Sequence, residues 1–320
     1  MSDLRSRVAG AGVFSGERAV VVLLSGGRDS VALLAIACDL LGPELVSALH
    51  CNYGLRGDDS DADEAACASL CATLGVPLAV ERPERPDASG NLHAWARDAR
   101  YKAGERACAA ADALLAVGHT ATDQAETILY RLATSPGRRA LLGMPVRSGR
   151  VVRPLLAAGA TRDETAAWCD SHGLPWREDA SNDDDLFARA RVRNGLVPAL
   201  RAVDARAEQA VLQTAELLRE ETEALDAVVA EVVGAGGGVP IDLLAATAPG
   251  IGRLVLRRLA EDASGRLCPR AGRRLEDVLA LGEGALDVGD GVRIVVSAGT
   301  VSAEPTPVLP GSLPPAWRRT

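Results

Sequence analysis

The segment AVVVLLSGGRDS, residues 19–30, decides how the first part of the chain folds. Its first half, Ala19–Leu24, is uniformly apolar and rich in valine, which is the pattern of a parallel strand buried on both faces. Two glycines end this strand, and Ser30–Leu41 is then apolar on most faces until Gly42-Pro43 stops it. The segment therefore predicts a buried strand, a glycine turn and a helix.

The alternation of strands and helices continues along the chain. Further strands are predicted at Leu45–Cys51, Val76–Val80 and Ala113–Val117, and further helices at Asp58–Leu74, Leu92–Ala111 and Thr122–Ala133. This order is typical of an α/β fold with a doubly wound, mostly parallel sheet, whose ligands bind beyond the carboxyl ends of the strands. Ser25, His50 and His119 each stand at such an end, so we expect them to face one site.

The character of the sequence changes near residue 205. Helical patterns without strand signals extend over Ala202–Val233, 241–262 and 269–282, and the valine-rich stretch Val288–Ser302 predicts a small hairpin or edge strand. We therefore predict three parts. They are a catalytic domain over residues 1–205, a smaller, mainly helical domain over 206–303, and an extended or disordered tail over 304–320.

The composition is that of an ordinary globular protein, with 48% hydrophobic and 24% charged residues. A net charge of −8 argues against indiscriminate binding of nucleic acid, but it leaves room for a local basic surface. The amino terminus lacks the apolar stretch of a secretory signal, and no apolar run approaches the roughly 20 residues that a membrane helix needs. We therefore expect a cytoplasmic protein without a membrane partner.

The seven cysteines include no Cys-x-x-Cys pair. Cys67 and Cys71 are four residues apart and share one face of a predicted helix, but no second pair completes a zinc site. We expect the thiols to be small buried side chains in a reducing compartment.

The loop Ser25–Ser30 has the features of an anion-binding turn. A loop that leads from a strand into a helix presents backbone N–H groups and the positive end of the helix dipole. Its two glycines let the backbone approach an anion, and Ser25 and Ser30 add hydroxyl donors. Asp29 falls in the first helical turn, where it can cap the helix or orient a magnesium ion. The same loop also fits a strand-to-helix turn that only requires glycine.

The hexapeptide Ser25-Gly-Gly-Arg-Asp-Ser30 resembles the SGGxDS signature of the PP-loop ATP pyrophosphatases. Members of that class bind ATP and cleave it between the α and β phosphates, usually to form an adenylated substrate. The resemblance implies an adenine-nucleotide alpha-hydrolase-like fold. It assigns ATP to the loop residues Ser25, Gly26, Gly27, Arg28, Asp29 and Ser30.

Later segments resemble one family of this class, the tRNA(Ile)-lysidine synthetases. They are His50–Arg56, Ala96–Tyr101, Gly118–Thr127, Arg153–Leu156, Glu178–Asn182 and Arg189–Leu200. Because these blocks follow in the family's order over residues 18–200, the chain is identified as a member of that family.

Three positions depart from the family's pattern. Tyr53 stands where the family commonly has histidine, so no proton role is carried over to it. Ala190 replaces the usual asparagine, and Thr134–Gly137 departs from the usual glycine turn, although Gly143-Met144 downstream fits the pattern.

The resemblance implies that lysine is joined to C2 of the wobble cytidine, position 34, of an isoleucine tRNA with a CAU anticodon. ATP first transfers AMP to the C2 oxygen, which creates a leaving group, and the lysine ε-amine then attacks C2. The products are lysidine, AMP and pyrophosphate, and the tRNA changes from methionine to isoleucine specificity. The implied ligands are ATP, Mg²⁺, L-lysine and tRNA(Ile). The sequence does not decide between a monomer and a homodimer.

The resemblance also implies catalytic roles for Asp29, His119 and Asp123. Asp29 and Asp123 are candidate magnesium ligands; alternatively, Asp123 accepts the lysine proton. His119 is expected to contact the adenylate phosphate, although a satisfied core or capping histidine is the alternative. Glu126, on the same predicted helix, is expected to make a supporting contact.

The arginines supply the candidate binding residues for substrate and tRNA. By resemblance and charge these are Arg56, Arg100, Arg138, Arg139, Arg153, Arg189 and Arg193. Between Thr127 and Arg162 there are seven arginines and no acidic residue, which predicts a tRNA-facing surface. A second basic cluster contains Arg266, Arg270, Arg273 and Arg274. Ordinary solvated arginines are the alternative, and the acidic run Asp58–Asp63 is interpreted as a solvated helix start.

Three other functions compete with this hypothesis. A PP-loop tRNA thiolase would use a catalytic cysteine or an iron–sulfur cluster, which the cysteine spacing does not favour. A metabolite ligase fed by glutamine hydrolysis gives no reason for the arginine-rich segment. A non-catalytic nucleotide-binding protein has no need for the intact loop together with His119 and Asp123.

Overall fold

The computed structural model describes residues 3–14, 16, 18–84, 92–135, 137–177 and 188–307. It divides the chain into two compact units, Met1–Leu218 and Arg219–Thr320. In the part of the chain described, no helix combines the length and the apolar character needed to cross a membrane.

The first unit is built on a six-stranded sheet. Its strands are β1 (Val20–Leu23), β2 (Val46–Cys51), β3 (Leu78–Glu81), β4 (Leu114–Ala116), β5 (Arg147–Ser148) and β6 (Val151–Val152). Their order is β3-β2-β1-β4-β6-β5, and every pairing is parallel except that of β5 with β6. The predicted doubly wound, mostly parallel sheet is therefore confirmed.

Helices surround this sheet. They are α1 (Leu4–Gly10), α2 (Arg28–Leu41), α3 (Asp58–Leu74), α4 (Leu92–Ala111), α5 (Ala121–Thr134), α6 (Arg138–Leu141), α7 (Pro154–Ala157), α8 (Arg162–Ser171), α9 (Ala188–Arg191) and α10 (Val197–Val203). A short 3-10 helix, Pro43–Leu45, precedes β2, and a π-helical turn, Val192–Leu196, joins α9 to α10.

Strand β1 is the centre of the core because its side chains point alternately to the two faces of the sheet. Val20 and Val22 pack with α2 on one face, and Val21 and Leu23 pack with α4 on the other. All four are buried, which explains why the sequence of this strand is apolar without alternation.

The order of the strands also fixes the place of a site. β1 lies between β2 and β4, so the chain leaves β1 toward one side and β4 toward the other. The loops after β1 and β4 therefore border a crevice at the switch point of the sheet, where such folds bind ligands.

The second unit has its own sheet and core. Its elements after α11 (Ala207–Val233) are β7 (Gly238–Pro240), α12 (Ile241–Ala246), α13 (Pro249–Ser264), α14 (Leu275–Ala280), β8 (Gly284–Gly289), β9 (Val292–Ser297) and β10 (Thr300–Pro305). The strands form an antiparallel sheet in the order β7-β10-β9-β8. The unit is smaller and contains helices, as predicted.

The sheet of the second unit is larger than the predicted hairpin. Val292, Ile294 and Val296 alternate inward along β9 and pack with residues of α13, which gives one strand a clear period of two. Strand β8, in contrast, begins and ends with glycine and is exposed at half of its positions, so its signal is weak. Glu304 and Pro305 belong to β10, so the predicted tail begins too early, and residues 308–320 lie outside the described residues.

The two units divide inside α11 at Leu218, whereas the sequence predicted a boundary near residue 205. Helix α10 does end there, since Asp204 is extended. The first part of α11 packs through Val211 on a cluster around Leu129, and its last turns bury Val229 in the second core. One helix therefore serves two cores, which a change in composition does not reveal.

Candidate active site

The loop after β1 is closed by its two serines. Ser25 N donates to Ser30 Oγ at 3.1 Å, and Ser30 Oγ donates to Gly27 O at 2.9 Å. Gly26 has φ +86°, and a Cβ there would lie 3.3 Å from Cys67 Sγ, so the turn requires glycine. Ser25 is exposed, and a ligand can therefore reach the loop.

The segment Trp176-Arg177 lies along this loop. Arg177 N donates to Gly26 O at 3.0 Å. The guanidinium of Arg28, the variable position of the loop, lies 5.1 Å from the centre of the Trp176 ring, within the range of a cation–π contact. Of the predicted site segments, Glu178–Asn182 lies outside the described residues.

The loop after β4 lies against the first turn of α2. A Cβ on Gly118 would come within 3.1 Å of the backbone of Asp29 and Ser30, so this approach requires glycine. Thr120 then starts α5 with a capping box, in which its N and Oγ1 donate to Asp123 Oδ2 at 2.8 and 2.9 Å. The cap fixes the carboxylate of Asp123 at the end of β4.

Asp29 lies at the other side of this crevice. Thr165 Oγ1 donates to Asp29 Oδ1, and Arg162 Nε lies 3.8 Å from Asp29 Oδ2. Burial raises the pKa of Asp29 to about 6, and the hydrogen bond from Thr165 opposes that shift without cancelling it. The side chain is therefore mostly ionised at neutral pH.

Arg162 connects the carboxylates of the two loops. Its guanidinium contacts Asp123 Oδ1 and donates to Glu126 Oε1 at 2.8 Å, and only 16% of its side chain is exposed. Burial alone raises the pKa of Asp123, but Arg162 and the donors of Thr120 outweigh burial and lower it. Asp123 is therefore a fixed negative charge.

Arg189 and Arg193, from the predicted segment Arg189–Leu200, face α5. Arg193 donates to Glu126 from Nε at 2.8 Å and from a terminal nitrogen at 3.2 Å. Arg189 donates to Thr127 Oγ1 at 2.7 Å. Glu126 is only 3% exposed and is held by two guanidiniums, so it makes the supporting contact that the sequence predicted.

His119 is a neutral imidazole in a defined orientation. Arg153 Nε donates to His119 Nδ1 at 3.2 Å, and the same guanidinium donates to Pro145 O at 2.7 Å. Burial, together with the charge of Arg153, lowers the pKa of His119 to about 3 against the opposing effect of Asp123. Since Nδ1 accepts, the proton is assigned to Nε2, which is then the donor toward a ligand.

The arginine-rich segment is not a single surface. Arg153 is 6% exposed and Arg162 is buried among carboxylates, so neither is available to a tRNA surface. For Arg162, one feature of the sequence could have indicated these carboxylate partners. An arginine in the first turn of a helix is unfavourable unless carboxylates compensate its charge. Arg150 is exposed but pairs with Asp112, and Arg131 donates to Gly143 O at 2.7 Å. Arg147 is exposed, and Arg138 and Arg139 are partly exposed, so these three remain as the candidate tRNA-facing surface.

The acidic run after β2 is more than a solvated helix start. Asp63 is buried and pairs with Arg56 and, at 2.8 Å, with Arg177. Asn52 donates to Asp61 Oδ1 and Glu64 Oε2 at 3.0 and 2.9 Å. The interpretation of this run as solvent-facing is therefore wrong for its last residue, and Arg56 is tied to it.

Contrary to the prediction, His50 does not face the crevice. Its ring is 5% exposed and its Nδ1 lies 2.9 Å from Leu24 O, so it ties β2 to the end of β1. Tyr53 OH donates to Ala96 O at 2.9 Å, which attaches the loop after β2 to α4. Both residues are structural contacts.

Arg100 belongs to α4, and its charge contributes to lowering the pKa of His119. Its guanidinium lies 5.9 Å from the Tyr101 ring, and its buried Nε has no hydrogen-bond partner among the described residues. The substrate contact of Arg100 stays a prediction.

The described residues contain no group of three or more His, Cys, Asp or Glu side chains that could hold a metal ion. Magnesium commonly takes one or two protein carboxylates and completes its shell with phosphates and water. Asp29 fits this requirement because it follows the phosphate loop directly. Both oxygens of Asp123 already accept hydrogen bonds. The seven cysteines are free, and most are buried, as predicted.

Comparisons with known proteins show the fold and the family of this chain. A family model described as a PP-loop domain matches residues 3–200. A U34-tRNA thiolase from Methanococcus maripaludis, solved with its iron–sulfur cluster, has the same fold with a TM-score of 0.56. It is 18% identical, and the match covers 68% of this chain and 78% of that one.

Curated relatives are more similar in sequence. The tRNA(Ile)-lysidine synthase of Salinispora tropica is 35% identical over 303 residues, which cover 89% of this chain and 90% of the relative. Those of Solibacter usitatus and Porphyromonas gingivalis are 36% and 41% identical, but this chain spans only 59% and 45% of their length. The chain therefore belongs to the PP-loop family and, within it, to the tRNA(Ile)-lysidine synthases.

Proposed function

We propose that this protein ligates lysine to C2 of the wobble cytidine of tRNA(Ile) with a CAU anticodon. ATP is consumed through an adenylated cytidine, and the products are lysidine, AMP and pyrophosphate. The observation that carries the proposal is the meeting of the phosphate loop, Asp29, His119 and Asp123 at the switch point of the sheet.

The phosphate loop binds the nucleotide. Its backbone donors and the hydroxyl of Ser25 face the anion, and the amino end of α2 adds a favourable dipole. Magnesium would neutralise phosphate charge when bound, and Asp29 is the carboxylate that would hold it. Because cleavage falls between the α and β phosphates, this part of the site retains the pyrophosphate.

His119 and Asp123 serve the reacting centre. The Nε2–H of the neutral His119 ring donates to an oxygen of the adenylate phosphate, and Arg153 keeps the ring in that orientation. Asp123 is ionised, so it attracts the lysine ε-ammonium and accepts its proton as the amine attacks C2.

The tRNA contacts the basic surfaces of both units. In the first unit these are Arg138, Arg139 and Arg147, and in the second unit they include Arg270 and Arg273. Guanidinium groups pair with phosphates and stack on unpaired bases, so they suit an anticodon arm.

The test is lysine-dependent pyrophosphate release from ATP with a CAU-anticodon tRNA(Ile) transcript, together with mass spectrometry of position 34. Adenylation of the cytidine releases at most one pyrophosphate per tRNA without lysine, so we expect full conversion to AMP, pyrophosphate and lysidine only when lysine and this tRNA are both present. Lysidine formation that ignores the identity of the tRNA, or continued pyrophosphate release beyond one equivalent per tRNA without lysine, would sink the proposal.

The role of Asp123 is tested separately. Asp123→Asn keeps the shape of the side chain and removes its charge, so turnover should fall at least about 100-fold while tRNA binding survives. Full activity in this variant removes Asp123 from the chemistry and leaves the assignment of the substrate to the first test.

A further inference from the structure

Arg162 stands between two carboxylates that come from different loops. Its Nε lies 3.8 Å from Asp29 Oδ2, and its terminal nitrogens contact Asp123 Oδ1 and Glu126 Oε1. Together with Arg193, two guanidiniums face three carboxylates. One guanidinium therefore occupies the place that a divalent cation would need in order to bridge Asp29 and Asp123.

The other oxygens of the pair are also occupied. Asp29 Oδ1 accepts from Thr165 Oγ1, and Asp123 Oδ2 accepts from Thr120 N and Oγ1. Arg162 and Thr165 both belong to the first turn of α8, so one helix end contacts Asp29 twice. The carboxylates are thus oriented entirely by protein donors.

The backbone sets the position of Arg162. Ala121 N donates to Ala160 O at 2.7 Å, and Arg162 N donates to Thr122 Oγ1 at 3.3 Å, so the starts of α5 and α8 are joined. Glu164 closes the capping box of α8 and pairs with Arg7 of α1 at 2.7 Å. The guanidinium therefore projects from a fixed helix end.

We propose that Arg162 is a positioning residue that acts as the resident cation of the Asp29–Asp123 pair. It holds both carboxylates at the nucleotide site and keeps a free metal ion from bridging them before nucleotide arrives. This inference deepens the proposed function, but the contacts that carry it do not depend on which substrate receives the AMP.

The experiment measures Mn²⁺ binding to the nucleotide-free protein by electron paramagnetic resonance. Arg162→Gln removes the positive charge between two carboxylates, so Mn²⁺ affinity should rise on the order of tenfold or more. Arg162→Lys keeps the charge and should bind Mn²⁺ as weakly as the wild type. Arg7→Gln is the matched control, because it removes another ion pair of the α8 end without touching Asp29 or Asp123.

A folded Arg162→Gln variant that binds Mn²⁺ no more tightly than the wild type overturns the proposal. If that variant does not fold, Mn²⁺ binding by the wild type and by Asp29→Asn tests the proposal instead. Tight Mn²⁺ binding by nucleotide-free wild type that Asp29→Asn abolishes shows that Arg162 does not exclude a metal, whereas weak binding unchanged by Asp29→Asn supports the proposal. A wild type inactive with lysine and tRNA(Ile) would refute the proposed function alone, since Mn²⁺ binding is read without substrates.

Discussion

At the scale of single residues, the carboxyl group of Asp29 is held at an energetic cost. Its side chain is 20% exposed, and its pKa is raised from 3.8 to about 6 by burial. A shift of that size corresponds to at most about 3 kcal/mol of stability at neutral pH. A charge that is unfavourable in the nucleotide-free protein is typical of a site that gains a cationic ligand on binding.

Asp29→Asn should therefore stabilise the protein at neutral pH. The pKa of Asp29 is higher in the folded than in the unfolded protein. The contribution of Asp29 to stability is therefore fully present below about pH 3.8 and is lost as the pH rises through about 6. We expect the variant to gain about 1–3 kcal/mol in urea unfolding at pH 7.5 and no advantage at pH 4. Asp59→Asn, at an exposed position, is the control. A gain independent of pH would contradict this account.

His119 should not titrate in the physiological range. Nitrogen NMR of the imidazole is expected to report a neutral ring with the proton on Nε2 from pH 8 down to pH 5. Arg153→Met removes a nearby positive charge and should raise the pKa of His119. A wild-type ring that charges near pH 6.5 would show that burial does not control it.

At the scale of elements, the site depends on how closely two loops approach each other. The loop after β4 touches the first turn of α2 at Gly118, and the capping box of α5 fixes the residues that follow. The parallel pairing of β1 with β4 brings both loops to the same edge. Small changes in this approach should therefore weaken nucleotide binding as well as lower stability.

Gly118→Ala tests this approach. Its Cβ would lie 3.1 Å from the backbone of Asp29 and Ser30, so the loops must separate by a few tenths of an ångström. We expect about 10-fold weaker ATP binding by calorimetry, with a loss of stability on the order of 1–2 kcal/mol. Gly250→Ala, in a helix with open space around it, should leave ATP binding unchanged. Equal affinity in both variants would contradict the prediction.

At the scale of the whole molecule, charge is unevenly distributed. The net charge is −8, yet the region around α6 and β5 presents Arg138, Arg139 and Arg147 to solvent or near it. An acidic protein with local basic surfaces can bind a polyanion at those surfaces and repel it elsewhere. Binding of tRNA should therefore be strongly salt-dependent.

The double substitution Arg138→Gln and Arg147→Gln should weaken tRNA binding without changing ATP binding. Each lost phosphate contact lowers the slope of log affinity against log salt by about 1. Filter binding of tRNA at several salt concentrations measures both the affinity and the slope. Arg206→Gln, which removes an exposed arginine paired with Asp204, is the control and should change neither. An unchanged slope in the double variant would place the tRNA elsewhere.

The sequence by itself determined strands β1 to β4, helices α2 to α5 and the glycine loop after β1. Strand β1, helix α2 and helix α5 were each predicted to within two residues at either end. They follow from apolar periodicity, glycine stops and capping residues, which are local properties of the chain. The second sheet was underestimated because exposed strands such as β8 carry little periodic signal.

Only the tertiary structure decided which arginines belong to the site. All but one of the 35 basic residues are arginine, so Arg153, Arg162 and Arg147 look alike in the sequence. Their roles differ because Arg153 and Arg162 meet a histidine and three carboxylates that come from distant parts of the chain. The partners of a buried charge are supplied by long-range packing, and no local pattern specifies them.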